Sequence, residues 1–256
     1  MLVRISVKVL KYHSRKVEEI KMRLDKFLAH NGYGTRKDVR KMVKDKHVYV
    51  NGDIITDHGF QLNLEQDEVR VGFDTIDYTE NVYYMLNKPQ DTISSTESEM
   101  YPSVLELLET QRTDLIIVGR LDVDTEGLLL ITNDGQFAHQ ISHGKKNIFK
   151  TYYVELQKPF NKKYLEILTQ GLELSDGPVK GAKVELIDEM RLLLSISEGK
   201  YHQVKRMMHA CDNEVAYLKR IQIGSLMLDE SLDLGASRLL TDEEIALLLK
   251  GDEEIG

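Results

Sequence analysis

The chain has 256 residues, 41% of them hydrophobic and 30% charged, at a formal net charge of −8, which is enough apolar material for one large core or two smaller ones. A single cysteine, Cys211, excludes an internal disulfide and a cysteine-pair zinc site. No stretch approaches the roughly 18 apolar residues of a membrane-spanning helix, so a cytoplasmic protein with no membrane partner is expected, with Cys211 a small buried apolar residue.

Net acidity argues against a polyanionic partner until the charge is divided. Residues 1–50 hold 14 Lys and Arg against 5 acids, and the remainder hold 20 against 37, the asymmetry of a basic arm on an acidic body. At the start, Val3, Ile5, Val7 and Val9 alternate with period two, so residues 1–21 read either as carrying a short strand or as an extension ahead of a start at Met22. From Met22 to about Phe73 the pattern is helix, turn, helix, hairpin. Leu24, Phe27 and Leu28 form one apolar stripe ended by Gly32 and Gly34. Thr35 with Asp38 three residues on makes a capping box, and Val39, Met42 and Val43 supply the next packing face. Arg36, Arg40 and Lys44 recur every four residues, with Lys37 and Lys41 on a neighbouring row. Such rows are either a solvated face or a phosphate-binding one; confinement of the cations to one module of an acidic chain favours phosphate. Val48-Tyr49-Val50 is a strand and Asn51-Gly52 its hairpin turn. Residues 74–81 read as a linker.

From residue 82 onward, strands, short helices and loops alternate. Tyr83 to Lys88 is a buried strand stopped by Pro89, Ile116 to Val118 another, and Leu128 to Ile131 a third, closed by Asn133-Asp134-Gly135. Between the last two strands Arg120, Asp122, Asp124 and Glu126 crowd into seven residues bounded by Gly119 and Gly127, whose backbones are free to take unusual angles. Carboxylates this close need a cation nearby to stay ionised. The pattern alone fits a hydrated turn, a glycosidase-like pair or a hard metal site as well as a nucleophile. Tyr152 and Tyr153 lie on opposite faces of a strand, so one of them can face a pocket. His202, Lys205 and Arg206 share three-and-four spacing, as on one side of a helix.

Two resemblances narrow these alternatives. Arg23-Leu24-Asp25-Lys26-Phe27-Leu28, Thr35-Arg36-Lys37 and Val48-Tyr49-Val50-Asn51-Gly52 resemble the S4 RNA-binding domain. That likeness implies structured RNA held by phosphate contacts from Arg23, Lys26, Arg36, Lys37, Arg40, Lys41, Lys44 and Asn51. The run from Gly119 to Leu130, together with Leu86-Asn87-Lys88-Pro89, Thr132-Asn133-Asp134-Gly135, Lys150-Thr151-Tyr152 and Glu198 to Met207, resembles the RsuA/RluB/RluE/RluF family of ribosomal-RNA pseudouridine synthases. The stretch Tyr201-His202-Gln203-Val204-Lys205-Arg206 is more similar to its small-subunit branch.

The resemblance implies an α+β protein, an S4 domain at 22–73 and a mixed or antiparallel-sheet catalytic domain over 82–256. It implies Asp122 as the catalytic carboxylate, Tyr152 stacked on the target base, Lys205 paired with Asp122, and Arg120 displacing the target nucleotide. Arg206 is an adjacent RNA-binding cation, and His202 and Gln203 stand behind this set. The expected partner is 16S rRNA or an assembling small subunit, met by a monomer with no metal or organic cofactor.

Overall fold

A computed structural model describes residues 21–76, 78–96, 100–143 and 148–250; the alternating Val3, Ile5, Val7 and Val9 lie outside these. The chain divides into two units. One runs to Glu80 and takes in Gln111–Asp114; the other comprises Asn81–Thr110 and the chain from Leu115 onward.

In the first unit, β1 (Lys21–Arg23) leads into α1 (Leu24–His30) and α2 (Arg36–Lys44), followed by β2 (Val48–Val50), β3 (Asp53–Ile54), β4 (Gln61–Asn63), β5 (Val69–Val71) and β6 (Asp74–Thr75). Thr35 caps α2 as expected: its hydroxyl accepts from the Asp38 amide at 3.3 Å, and the Asp38 carboxylate accepts from the Thr35 amide at 3.0 Å. Leu24, Phe27 and Leu28 of α1 and Val39 and Val43 of α2 are buried against Val48, Val50, Leu62 and Val69 of the strands, while Met42 is only partly covered. The strands order β3-β2-β5-β6, and β1 pairs with β4. Asn51 and Gly52 both take positive φ, 53° and 88°, as a two-residue hairpin turn requires.

The expected linker at 74–81 is for the most part a piece of this unit. Asp74 and Thr75 pair with Val71 and Arg70, and the Tyr78 ring packs on Phe27 at 4.9 Å. Residues 111–114 return to the same body: Arg112 donates to the Thr79 carbonyl at 2.8 Å, and the Thr113 amide donates to the His30 carbonyl at 3.2 Å. These partners are distant in sequence, so local composition carried no sign of them.

The second unit is built on a mixed sheet. Its elements are β7 (Tyr83–Lys88), β8 (Ile116–Val118), β9 (Glu126–Thr132), α3 (Gly135–His143), β10 (Lys150–Leu156), α4 (Leu165–Gln170), β11 (Gly171–Leu174), β12 (Gly177–Lys180), β13 (Lys183–Leu186), β14 (Arg191–Ile196), α5 (Gln203–His209), β15 (Val215–Ile223), β16 (Leu226–Met227), β17 (Ser237–Leu239) and α6 (Asp242–Lys250). The sheet orders β13-β14-β10-β15-β9-β7-β17, with β8 added on β9 and β16 on β15, while β11 and β12 form a separate hairpin.

Strand β9 explains the uninterrupted apolar run of the sequence. Leu129 and Ile131 enter one core with Tyr152, Val154 and Met207, whereas Leu128 and Leu130 enter another with Phe137, Ile141 and Leu248. A strand covered on both faces has no polar side to alternate. Strands β9 and β15 run parallel, pairing Lys219 with Glu126 and Arg220 with Gly127. One cross-strand row therefore reads Leu194, Tyr152, Arg220, Gly127, Lys88. The acidic loop enters the sheet at the Gly127 position of this row.

Candidate active site

The loop from Gly119 to Thr125 leaves β8 and enters β9, and its backbone is held at several points. Ser94 Oγ donates to the Leu121 carbonyl at 3.0 Å and accepts from the Leu121 amide at 3.1 Å. The Thr125 amide donates to the Asp122 carbonyl at 3.1 Å, and the Asp91 amide to that of Val123 at 2.9 Å. Both bounding glycines sit at positive φ, 72° at Gly119 and 102° at Gly127. At Gly127 a second reason applies, since a Cβ there would run into the Arg220 carbonyl across the parallel pair. These constraints make the loop a pre-set turn, as positioned catalytic groups require.

The four charges of this stretch have different fates. Glu126, already in β9, accepts a hydrogen bond from the Tyr217 hydroxyl; burial, and then this bond, push the Tyr217 phenol far up. Asp124 takes the Lys205 ammonium at 2.6 Å. Burial pushes the Asp124 carboxyl up, but the Lys205 hydrogen bond and charge outweigh it and hold the group below its ordinary value. Asp122 lines a small cleft that opens to solvent. Its carboxylate lies 3.3 Å from Lys205 Nζ and 3.6 Å from His202 Nε2. Arg120 is exposed and lines the same cleft, with Tyr152, Thr125, Gln203 and Lys205.

Tyr152 is 8% exposed, and its ring is part of the cleft wall. Tyr153 instead donates to Glu155 at 2.7 Å and packs on Tyr217. Strand alternation thus separates the two tyrosines, and Tyr152 is the one turned to the cleft.

The expectation of one helical face for His202, Lys205 and Arg206 is corrected. Helix α5 begins at Gln203, and His202 precedes it in the left-handed region at φ 48°, its ring stacked under that of Tyr201 at 3.8 Å. Lys205 turns to Asp122 and Asp124, while Arg206 turns away to Asp176 of the β11–β12 hairpin at 2.8 Å. Lys205 is also nearer to Asp124 than to Asp122, so its charge is shared.

Lys88, whose role the sequence pattern does not indicate, lies beneath the loop. It is 0% exposed, and its ammonium donates to the carbonyls of Pro89 at 2.9 Å, Thr125 at 3.0 Å and Val123 at 3.4 Å. Burial pushes it down to about 8, against the upward pull of Asp122, Asp124 and Glu126. A lysine in an apolar strand next to a proline was the available signal. The Thr125 hydroxyl beside it is buried without a hydrogen-bond partner.

In the S4-like unit, Arg36, Lys37, Arg40, Lys41 and Lys44 are exposed along α2, and Lys26 along α1. Arg23 and Arg40 share the buried Asp25: Arg23 pairs at 2.9 Å and Arg40 approaches at 3.5 Å. The Arg23 hydrogen bond holds the Asp25 carboxyl down at about 2 against the effect of burial. Asn51 gives both ends of its amide to the neighbouring loop, donating to Asp67 at 2.8 Å and accepting from the Glu68 amide at 3.0 Å, so its side chain braces the hairpin. Cys211 is buried, and burial raises its thiol to about 11. Among the described residues no group of three or more His, Cys, Asp and Glu side chains is placed to hold a metal ion, and no helix is long and apolar enough to cross a membrane.

A small α+β module with a basic helix, followed by a mixed sheet that carries a carboxylate-lined cleft, is the arrangement expected of an RNA-modifying enzyme with an S4 domain. Comparison with known families agrees: residues 82–210 match RNA pseudouridylate synthase and residues 22–69 match the S4 domain. The chain belongs to the RNA pseudouridylate synthase family and is a pseudouridine synthase acting on RNA. It is 43% identical over 234 residues to an RNA pseudouridine synthase of Bacillus subtilis, covering 89% of this chain and 98% of that protein. It is 41% identical over 233 residues to ribosomal small subunit pseudouridine synthase A of Haemophilus influenzae, covering 90% and 100% of the two chains. A crystal structure of a pseudouridylate synthase superposes with a TM-score of 0.63 at 40% identity, over 89% of this chain and 99% of that one.

Proposed function

We propose that this enzyme converts a uridine of 16S ribosomal RNA to pseudouridine, with Asp122 as the essential carboxylate. The observation that carries the reading is the joint position of Asp122 and Tyr152 in one cleft, with Lys205 3.3 Å from the carboxylate. The small-subunit target rests on the likeness to ribosomal small subunit pseudouridine synthase A. The reaction breaks the N1–C1′ bond, turns the freed uracil, and joins C5 to C1′; the C5 proton leaves and N1 regains one. It is redox-neutral and proceeds without an external energy source.

Each residue has a part that its position supports. The Tyr152 ring offers a flat wall on which the detached base stacks. Lys205, shared between two carboxylates, holds the Asp122 carboxylate in its orientation. Arg120 at the exposed mouth takes the place of the extruded nucleotide, whose unstacking costs a few kcal/mol. Phosphate contacts from the α2 row of the S4 unit, with Lys26 and Arg23, offset that cost, and the enzyme works as a cytoplasmic monomer.

The target is tested by incubating the purified enzyme with 16S and 23S transcripts and with assembling small-subunit particles, then mapping pseudouridine. A single modified position in 16S RNA is expected. Pseudouridine confined to 23S RNA would reassign the substrate, and none in any RNA would overturn the reading. For the S4 unit, Arg36, Lys41 and Lys44→Ala together spare Asp25 its partners. The triple variant is expected to flatten the slope of log affinity against log salt by about 2 to 3, because each phosphate contact contributes about 0.7 to 0.9. Equilibrium binding across a salt series, with thermal unfolding unchanged, checks it.

A further inference from the structure

The last hairpin of the S4 unit carries a side chain for which the reaction has no use. Gly72 and Phe73 form the turn between β5 and β6, and Phe73 is 99% exposed. A ring left wholly in water contributes nothing to the core and invites association. The turn is nevertheless fixed in place. The Gly72 amide donates to the His47 carbonyl at 2.9 Å, tying the tip to the connection that leaves the C-terminal end of α2. Behind it, the Arg70 guanidinium lies 4.5 Å over the Tyr49 ring. Lys44 at the end of α2 and Lys46 and His47 on that connection are exposed, with Asp45 and Asp74 as the neighbouring acids.

We propose that Phe73 is a stacking platform for an unpaired base of the RNA whose phosphates lie along α2. The proposal rests on the RNA substrate reading above and adds a second contact to it. Isolation of the ring favours a base over a protein partner. The other large exposed apolar side chain described in this unit is Ile54, whereas protein interfaces surround an aromatic anchor with a closed apolar patch. A nucleobase needs a single π-face with cations within reach of the adjoining phosphate, and unstacked bases on aromatic rings are the usual means of reading single-stranded RNA. Stacking displaces no counterions, so this contact is independent of salt, in contrast to that of the α2 row.

The chain contains no tryptophan, so Phe73→Trp supplies a single fluorescent reporter. Poly(U), a fully paired RNA duplex of the same length, and 16S RNA serve as probes. Poly(U) and 16S RNA are expected to change the Trp emission, and the duplex to leave it unchanged. Phe73→Ala is expected to bind poly(U) between about 5-fold and about 150-fold more weakly, with the salt slope and thermal unfolding unaltered and with Phe73→Tyr restoring affinity. Equal binding of poly(U) by Phe73→Ala and the parent, or an equal loss on the duplex, would overturn the proposal. Normal affinity in Phe73→Ala with 16S RNA still modified sinks stacking alone. Lost affinity in Phe73→Ala, with no RNA modified by the parent, sinks the substrate reading alone.

Discussion

Replacing Asp122 by Asn is expected to lower pseudouridine formation by about 10⁴-fold or more, the scale seen when a covalent or general-base group is lost from a pre-organised site, while RNA affinity changes by no more than a few-fold. Asn keeps the size and leaves the backbone bonds of the loop intact, since those run through Leu121, Val123, Thr125 and the Asp122 carbonyl. Lys205 also keeps its 2.6 Å partner Asp124, so no cation is orphaned. Single-turnover measurement at saturating 16S RNA separates chemistry from binding, and Asp124→Asn is the control. Asp124 is turned to Lys205, and its loss is expected to cost far less than that of Asp122. Equal losses in the two variants would mean that the carboxylates act as an undifferentiated cluster, and undiminished product from Asp122→Asn would remove it from the chemistry.

The parts of the molecule that could be read in advance are those whose signals are local. The α2 capping box, the Leu24, Phe27 and Leu28 stripe, the Asn51-Gly52 turn and the buried run of β9 all follow from spacing within ten residues. So does the separation of Tyr152 from Tyr153. What escaped depends on contacts across the chain. Nothing near residue 112 announces that Arg112 reaches back to Thr79, and that contact helps to make 78–80 part of the first unit rather than a linker. The helical spacing of His202 with Lys205 was misleading because the left-handed residue at the start of α5 takes His202 out of the helix. Arg206 reads as a twin of Lys205, yet Asp176 on a distant hairpin draws it off. The role of Lys88 was hidden because its three acceptors are backbone carbonyls, which carry no residue-type signal at all.

Lys88 gives the second large effect, because it supports Asp122 through the backbone. Its ammonium donates to the Thr125 carbonyl, and the Thr125 amide donates to the Asp122 carbonyl. The Val123 and Pro89 carbonyls have other donors in the Asp91 amide and the Thr92 hydroxyl, so the Thr125 carbonyl relies most on Lys88. Lys88→Met is therefore expected to misplace the loop and reduce turnover by about 100-fold with little change in RNA affinity. Stability at neutral pH is a poor readout of this variant. Removing a buried charge relieves desolvation, while leaving a buried carbonyl unpaired costs about 1–3 kcal/mol. The pH dependence discriminates better. With Lys88 held at about 8 in the folded protein and near 10.4 when unfolded, the unfolded chain binds more protons between those values. Parent stability should thus gain roughly 2 to 3 kcal/mol relative to Lys88→Met as pH rises from 8 to 10.5. Below pH 8 the lysine is charged in both states, and the difference stays flat. Activity should move the other way, falling as pH rises through about 8, because the neutral amine has one hydrogen fewer to offer the loop carbonyls. Urea unfolding of both proteins across pH 7 to 10.5, with single-turnover rates on the parent, checks the two trends. Parallel stability curves for parent and variant would show that burial does not weaken the hold of folded Lys88 on its proton.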